Sequence, residues 1–444
     1  MKYILTTILT LTILTAQEGE VTNVVAEQRT DGSQIVDITY DLLPDSDFPS
    51  FTVFAFISLD EGVTFDQINA ANPSFPNALG SNVLAGTNKT FYWIHENDFP
   101  AISADNIIFK ITAFGHEAVS LPDSFELMDV PSGDFMGAYY YPTGEYLRPD
   151  EAVDTVMTID YDYQMMKNLV TNAQFLEFLL ILVDRELIDV TSGEIRYNFD
   201  PSVNPYPVSL YDQDLIDGWG WNQRIYYVYL EPDWSQRIYT NATTYLIEEG
   251  YGDHPVQKVT PLGMQLFAEY YGLRLPMWKE YIKAARGMET GDYVWGSECD
   301  WIYNTEGMLS SRVNHGKSGD TWESSENYSN TTPVGYYNGT NYNGFQTIDT
   351  PSAYGLYDIH GSIRELVAWE TSCYSSSDCQ SSTSVNSFGV TGYKPFLFQR
   401  GGQSTGSAYY HNPCDDFKLT YWDHTWDESF YTGFRCARTV IIDN

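Results

Sequence analysis

A chain of 444 residues with 60 acidic and 23 basic side chains carries a formal net charge of −37, which repels a polyanion at long range and excludes nucleic acid as the expected partner. With 43% hydrophobic, 16% aromatic and only 19% charged residues, it has too much apolar surface to remain disordered, and at roughly 100–200 residues per domain it can build two or three cores. The acidic surplus suits a cationic ligand or a divalent metal, and equally a well-solvated extracellular surface.

The chain opens with the pattern of a signal peptide over residues 1–16. Lys2 precedes the apolar run Tyr3 to Thr15, and the small residue Ala16 precedes Gln17-Glu18-Gly19-Glu20. A membrane anchor needs about 20 apolar residues, and this run is shorter and rich in Thr. No later run is long enough to span a bilayer, and Val440 to Asn444 is too short for a lipid-anchor tail, so a secreted protein without a membrane span is expected.

Residues 17–130 read as strands. Ile35 to Tyr40, Phe51 to Ser58, Lys89 to Ile94 and Asn106 to Ala113 are rich in β-branched and aromatic residues, and Asp31-Gly32, Asp60-Glu61-Gly62 and Gly86-Thr87 punctuate them. That rhythm predicts an immunoglobulin- or fibronectin-like β-sandwich of about seven strands. It holds no cluster of His, Cys or paired acids, which is the composition of a spacer or adhesive module.

The polar stretch Asp129-Val130-Pro131-Ser132-Gly133 predicts the boundary to a second domain over residues 134–442. Helices are expected around Asn172 to Val183 and Pro261 to Tyr271, with a third opened by Pro276 and closed by Gly287. Beyond Gly287 the chain turns rich in Tyr, Asn, Ser and Gly, predicting a core packed under loops and an α+β class overall. Five cysteines (Cys299, Cys373, Cys379, Cys414 and Cys436) in an exported chain predict disulfides with one thiol left over. Sequons at Asn88, Asn241, Asn327, Asn330 and Asn338 are acceptors only in a host that glycosylates.

Several motifs recur in a fixed order: Leu169 to Phe175; Asp253-His254-Pro255-Val256; Gly272 to Pro276 leading to Lys283-Ala284-Ala285-Arg286-Gly287; Val294-Trp295-Gly296; Tyr354 to Gly361 with Glu365; and Arg400-Gly401-Gly402 with Gly433-Phe434-Arg435-Cys436-Ala437. From about Met136 to Val440 the chain thereby resembles the sulfatase-modifying-factor, or formylglycine-generating enzyme, family. The resemblance implies a C-type-lectin-related fold. Independently of it, the glycines suit tight turns, and Arg274, Arg286, Arg400 and Arg435 suit scaffold roles, because a guanidinium offers five fixed donors.

Active members of that family oxidise a sulfatase cysteine with copper and oxygen, using two cysteines five positions apart as thiolates. Counted from the Gly401-Gly402 turn, those positions are Gly406 and His411 here, and neither supplies the sulfur that Cu(I) needs. Gln403 replaces the family's serine, and Arg364 replaces its tryptophan. Copper is therefore not expected, and no catalytic residue is assigned. An atypical thiol site using Cys414 beside His411 is the alternative, a sulfatase-modifying oxidase. A hydrolase built from Ser404, Ser407, His411 and Asp415 lacks a nucleophile elbow.

Calcium is the cofactor the resemblance implies, held by the side chains of Asp358 and Glu365 and the carbonyls of Gly361 and Ile363, a hard-oxygen set that suits Ca²⁺. Two solvent-exposed carboxylates is the competing reading. A second family site maps onto Asn314, His315, Glu326 and Tyr328. The expected function is non-catalytic: binding of an extracellular protein, peptide or glycan, or a structural role. Arg364, Gln403, His411, Trp422 and Trp426 are the candidate binding residues, Trp322 is a further stacking candidate, and Tyr336 to Asn343 and Tyr409 to Asn412 are the recognition loops.

Overall fold

The computed structural model describes residues 18–33, 35–46, 48, 50–68, 70–71, 78–94, 107–116, 121–139, 153–184, 188–191, 194–197, 227–229, 237–241, 243–259, 261–297, 311–315, 318–322, 331–370, 393–399, 422–424 and 432–440. In the N-terminal part, strands Val21–Gln28, Ile35–Leu42, Gly86–Ile94 and Ala70–Ala71 form one antiparallel sheet in that spatial order. A second sheet runs Glu18–Gly19, Ile108–His116, Ser50–Ser58 and Asp66–Gln67, with Gly80–Val83 also on Ser50–Ser58. Strict alternation decides which side chains go inward. Val36, Ile38, Tyr40 and Leu42 are buried while Asp37, Thr39 and Asp41 face outward, and the inward set joins Phe51, Val53, Ala55 and Ile57 of the other sheet in one core. The turn at Asp60-Glu61-Gly62 is tied down by its own side chains. Asp60 accepts from the Thr64 N–H (2.8 Å), the Thr64 hydroxyl (2.7 Å) and the Ser58 hydroxyl (2.7 Å), bonds that pull its carboxyl down to about 2.

The C-terminal core begins earlier than residue 134. Phe125 stacks on Phe267 (5.8 Å between centroids) and tilts against Tyr271 (4.7 Å), and strand Leu127–Val130 pairs with Tyr163–Met166. The turn residues of Asp129 to Gly133 mark a bend between two strands, Leu127–Val130 and Gly133–Tyr139, so the Pro-Gly signal is real but lies inside the second unit. Strand Tyr163–Met166 also pairs with Ala437–Thr439, and this three-stranded sheet separates two cores. Met166 and Cys436 point into one, Met165 and Ala437 into the other, as the two-residue period requires.

Three helices cover these cores. Helix α1 (Asn172–Asp184) buries Phe175, Phe178, Leu179 and Leu182 at helical spacing. Its start is a reciprocal cap: the Gln174 N–H donates to Thr171 Oγ1 (3.2 Å) and the Thr171 N–H to Gln174 Oε1 (2.9 Å). Helix α2 (Pro261–Tyr270) brings Phe267 into the same core. Helix α3 (Trp278–Arg286) packs Trp278, Tyr281, Ile282, Ala284 and Ala285 against the hairpin of Gly133–Tyr139 with Val153–Ile159. Gly287 ends it with a left-handed φ of 59° and an N–H bonded to the Lys283 carbonyl. A last sheet orders Trp422–His424, Tyr393–Gln399, Arg364–Glu370 and Thr432–Gly433, the final pair parallel. Among the described residues no helix is long and apolar enough to cross a membrane.

Candidate functional site

Arg435 follows the parallel pairing of Glu365 with Gly433, and alternation along Phe434-Arg435-Cys436-Ala437 turns it away from the α1 core. Its guanidinium, 0% exposed, grips Glu365, itself 1% exposed. Nε donates to Oε2 (2.6 Å) and Nη2 to Oε1 (2.8 Å), the bidentate geometry that makes arginine and carboxylate a strong pair. The remaining donors reach the carbonyls of Met166 (3.2 Å), Lys167 (3.0 Å) and Tyr357 (2.8 Å). Burial alone would depress the Arg435 pKa, but the Glu365 charge outweighs it and the net direction is upward. Tyr281 of α3 donates its hydroxyl to Glu365 Oε1 (3.0 Å), and burial, then Glu365, push that phenol far above the ordinary tyrosine range.

Asp358 sits beside this pair in a left-handed conformation, φ 58°, and accepts the Gly335 N–H at 2.6 Å. Its carboxyl is pushed up to about 6, chiefly by burial and further by Glu365, against the opposing Gly335 bond and Arg435. Gly361, φ 77°, lies so close to the Asn314 backbone that a Cβ would collide with it, and the next residue, Ser362, donates its N–H to the Asn314 carbonyl (3.0 Å). The fold thus brings Asn314 against the turn of Asp358, Gly361 and Ile363, joining in one neighbourhood residues the sequence assigned to two sites. Glu326 and Tyr328 lie outside the described residues.

These donors fit a hard cation in part. Asp358 is a buried carboxyl short of positive charge, which a cation would supply. Both oxygens of Glu365, however, are engaged by Arg435, and Tyr281 adds a third bond, so a guanidinium already neutralises that carboxylate. Among the described residues no group of three or more His, Cys, Asp and Glu is placed to hold a metal.

A second buried ion pair organises the opposite end of α3. Arg274, 4% exposed, is bidentate to Glu280, 0% exposed (2.7 and 2.6 Å), and reaches Thr439 (3.0 Å). Glu280 also accepts the Met277 N–H (2.8 Å) and the Tyr161 hydroxyl (3.0 Å), capping the helix while it binds strand to helix. Arg286 donates to Asp154 (2.7 Å) and the Gly291 and Thr290 carbonyls (3.0 and 2.6 Å). All three arginines therefore do scaffold work. His254 and His360 are buried too. His360 Nε2 accepts the Val294 N–H (3.0 Å), while His254 shares Nδ1 with Thr331 Oγ1 (2.9 Å) and sits edge-on to Trp322 (4.4 Å). Burial, then Arg237, bring His254 down to about 4. Trp322 is accordingly part of a packed aromatic cluster, half-buried.

Arg364 is half-buried at the head of its strand, one residue before Glu365. Trp422 is placed only by its backbone, opposite Gln399. Gln403, Gly406, His411, Cys414, Trp426 and the loop Tyr409 to Asn412 lie outside the described residues, as do Cys299, Cys373 and Cys379. Cys436 is a free thiol with 0% exposure, and burial raises its pKa well above the cysteine range, so it offers no thiolate. Sequence reasoning missed Tyr281, Glu280 and the Glu365–Arg435 pairing. The available signal was that both acids stand within or beside the same motifs as the arginines.

The model of the Sulfatase-modifying factor enzyme 1-like domain matches residues 123–440, starting beside Phe125, where the C-terminal core starts. No curated protein matches the chain. With well over half of its length matched, and with the motif arginines, glycines and acids locked into one framework of short strands and few helices, the chain belongs to the sulfatase-modifying factor family, which has a C-type-lectin-like fold.

Proposed function

We propose that this chain is an exported, non-catalytic recognition protein in which an immunoglobulin- or fibronectin-like β-sandwich precedes a family domain whose loop face binds an extracellular protein, peptide or glycan. One observation carries the reading: sulfur is missing where copper chemistry needs it. Gly406 and His411 stand at the two thiolate positions, and the family-motif cysteine that the fold describes, Cys436, is sealed in the core. What the motifs retain is framework, since Arg274, Glu280, Arg435 and Glu365 are all consumed by buried ion pairs. Incubation of the purified protein with copper and a peptide carrying Cys-X-Pro-X-Arg tests the reading, and no aldehyde is expected. Aldehyde formation that Cys414→Ser abolishes would establish the alternative, a sulfatase-modifying oxidase with an atypical thiol site.

Calcium belongs to the same proposal as a structural ion. Asp358 would supply the charge and the turn at Gly361 and Ile363 the neutral oxygens, with no role in a reaction.

A further inference from the structure

We infer that the hairpin following Tyr336 is a binding platform for a neutral saccharide, stacked on the exposed face of Tyr342. The inference deepens the recognition reading by naming a ligand class and a site, and it rests on that reading.

Strands Asn341–Tyr342 and Phe345–Gln346 are joined by Asn343 and Gly344, both at positive φ (52° and 101°), the two-residue turn that gives a hairpin its tightest closure. Beneath it Tyr336 and Tyr337 are 3% and 4% exposed. Tyr336 is fixed by a hydroxyl contact with Thr321 (2.9 Å). Tyr342 lies nearly parallel on Tyr336, with centroids 3.9 Å apart at 15°, and its hydroxyl meets the Asn338 side chain at 3.2 Å. One ring face is therefore covered, and because Tyr342 is only half-buried, the opposite face is the part that meets solvent. Its orientation is paid for in advance by the protein, which removes an ordering cost from binding.

Around the ring stand exposed carboxamides from Asn338, Asn341 and Gln346. Each keeps part of its capacity inside the hairpin: Asn341 Nδ2 donates to Gln346 Oε1 (3.2 Å), and Gln346 Nε2 donates to the Gly339 carbonyl (2.8 Å). A carboxamide has two donor hydrogens and a two-lone-pair oxygen, so each holds its place with some of its bonds and can offer the rest. No charged residue occurs from Thr331 to Ile348, in a chain of net charge −37. An uncharged aromatic face rimmed by amides matches the apolar C–H face and hydroxyl edge of a pyranose, and gives nothing to a phosphate, a sulfate or a basic peptide.

The test is saturation-transfer NMR on the full-length protein with maltohexaose, cellohexaose and mannohexaose, followed by titration of whichever binds. Binding of at least one, insensitive to salt between 50 and 500 mM, is expected. Tyr342→Ala should weaken it at least fivefold, whereas Tyr342→Phe, which keeps the stacked ring and the fold, should retain it. If none of the three binds, or Tyr342→Ala binds as the parent does, the platform is refuted. That failure leaves the recognition reading to the copper and aldehyde assay, whose outcome does not involve Tyr342.

Discussion

Asp358→Asn should make the protein more stable at neutral pH and leave it unchanged in acid. The folded carboxyl titrates at about 6 instead of 3.8, because burial disfavours its charged form. Folded protein therefore binds the proton more tightly than unfolded chain, so stability falls as pH rises from 4 to 6 and the full cost is present above 6. A shift of about 2 units at 1.36 kcal/mol each makes that cost on the order of 3 kcal/mol. Asparagine removes the charge, tolerates the left-handed backbone at this position and can still accept the Gly335 N–H through Oδ1. For a domain of this size the gain corresponds to roughly 5 °C in melting temperature. Calorimetry with a chelator present, at pH 7.5 and pH 4, reads both arms. A variant that melts at or below the parent at pH 7.5 would refute the claim that an uncompensated carboxylate burdens the fold, and so would an equal gain at both pH values. Without chelator, calcium should raise the melting temperature of the parent and not of the variant if Asp358 holds the ion.

Two further outcomes follow from buried charge. Arg435→Met should cost about 3–5 kcal/mol, because it strands Glu365 without a partner, while Arg435→Met combined with Glu365→Leu should recover most of that loss; denaturant melts of both variants check it, and a single variant within about 1 kcal/mol of the parent would show that the pair is not what holds the strand. His254, brought down to about 4 from 6.5 by burial and by Arg237, is neutral in the fold, so stability is lost as pH falls through 6.5 towards 4 by about 3 kcal/mol. That loss opposes the Asp358 gain over nearly the same window, so the parent should show little pH dependence there from these two groups. His254→Gln should uncover stabilisation on acidification, and Asp358→Asn should uncover destabilisation. Parallel pH profiles in parent and variants would exclude the compensation.

Local pattern made part of this structure readable in advance. Ile35 to Leu42 alternates so strictly that its buried set is written in the sequence, and α1 declares itself through Thr171, Gln174 and the phenylalanines that follow. The limit is contact between distant segments. Asp129 to Gly133 carries every turn signal of a domain linker, and only the packing of Phe125 on Phe267 shows that the core has already begun. Tyr336 and Tyr337 have the composition of a recognition loop, yet both are buried and only the hairpin beyond them is exposed. Glu365 looks like a metal ligand until Arg435, 70 positions later, is found on both of its oxygens.

The two ion pairs also explain how family membership and chemistry can separate. A buried arginine–carboxylate pair is a poor source of stability, since desolvation offsets much of its attraction, but losing either member is costly. Each is therefore hard to leave by single substitutions, and Arg274, Glu280, Glu365 and Arg435 each bind two or more segments at once. A thiol at the position of Gly406 or His411 is under no such constraint, because in this family it serves copper and not the frame. Substitution there can abolish the reaction while the scaffold, held by residues on other segments, stays intact and recognisable. A Gly406→Cys, His411→Cys double variant should therefore fold like the parent, with an unchanged melting temperature under reducing conditions. A marked loss of stability would mean that those positions carry packing, and that the family's chemistry and frame are less separable than the buried pairs imply.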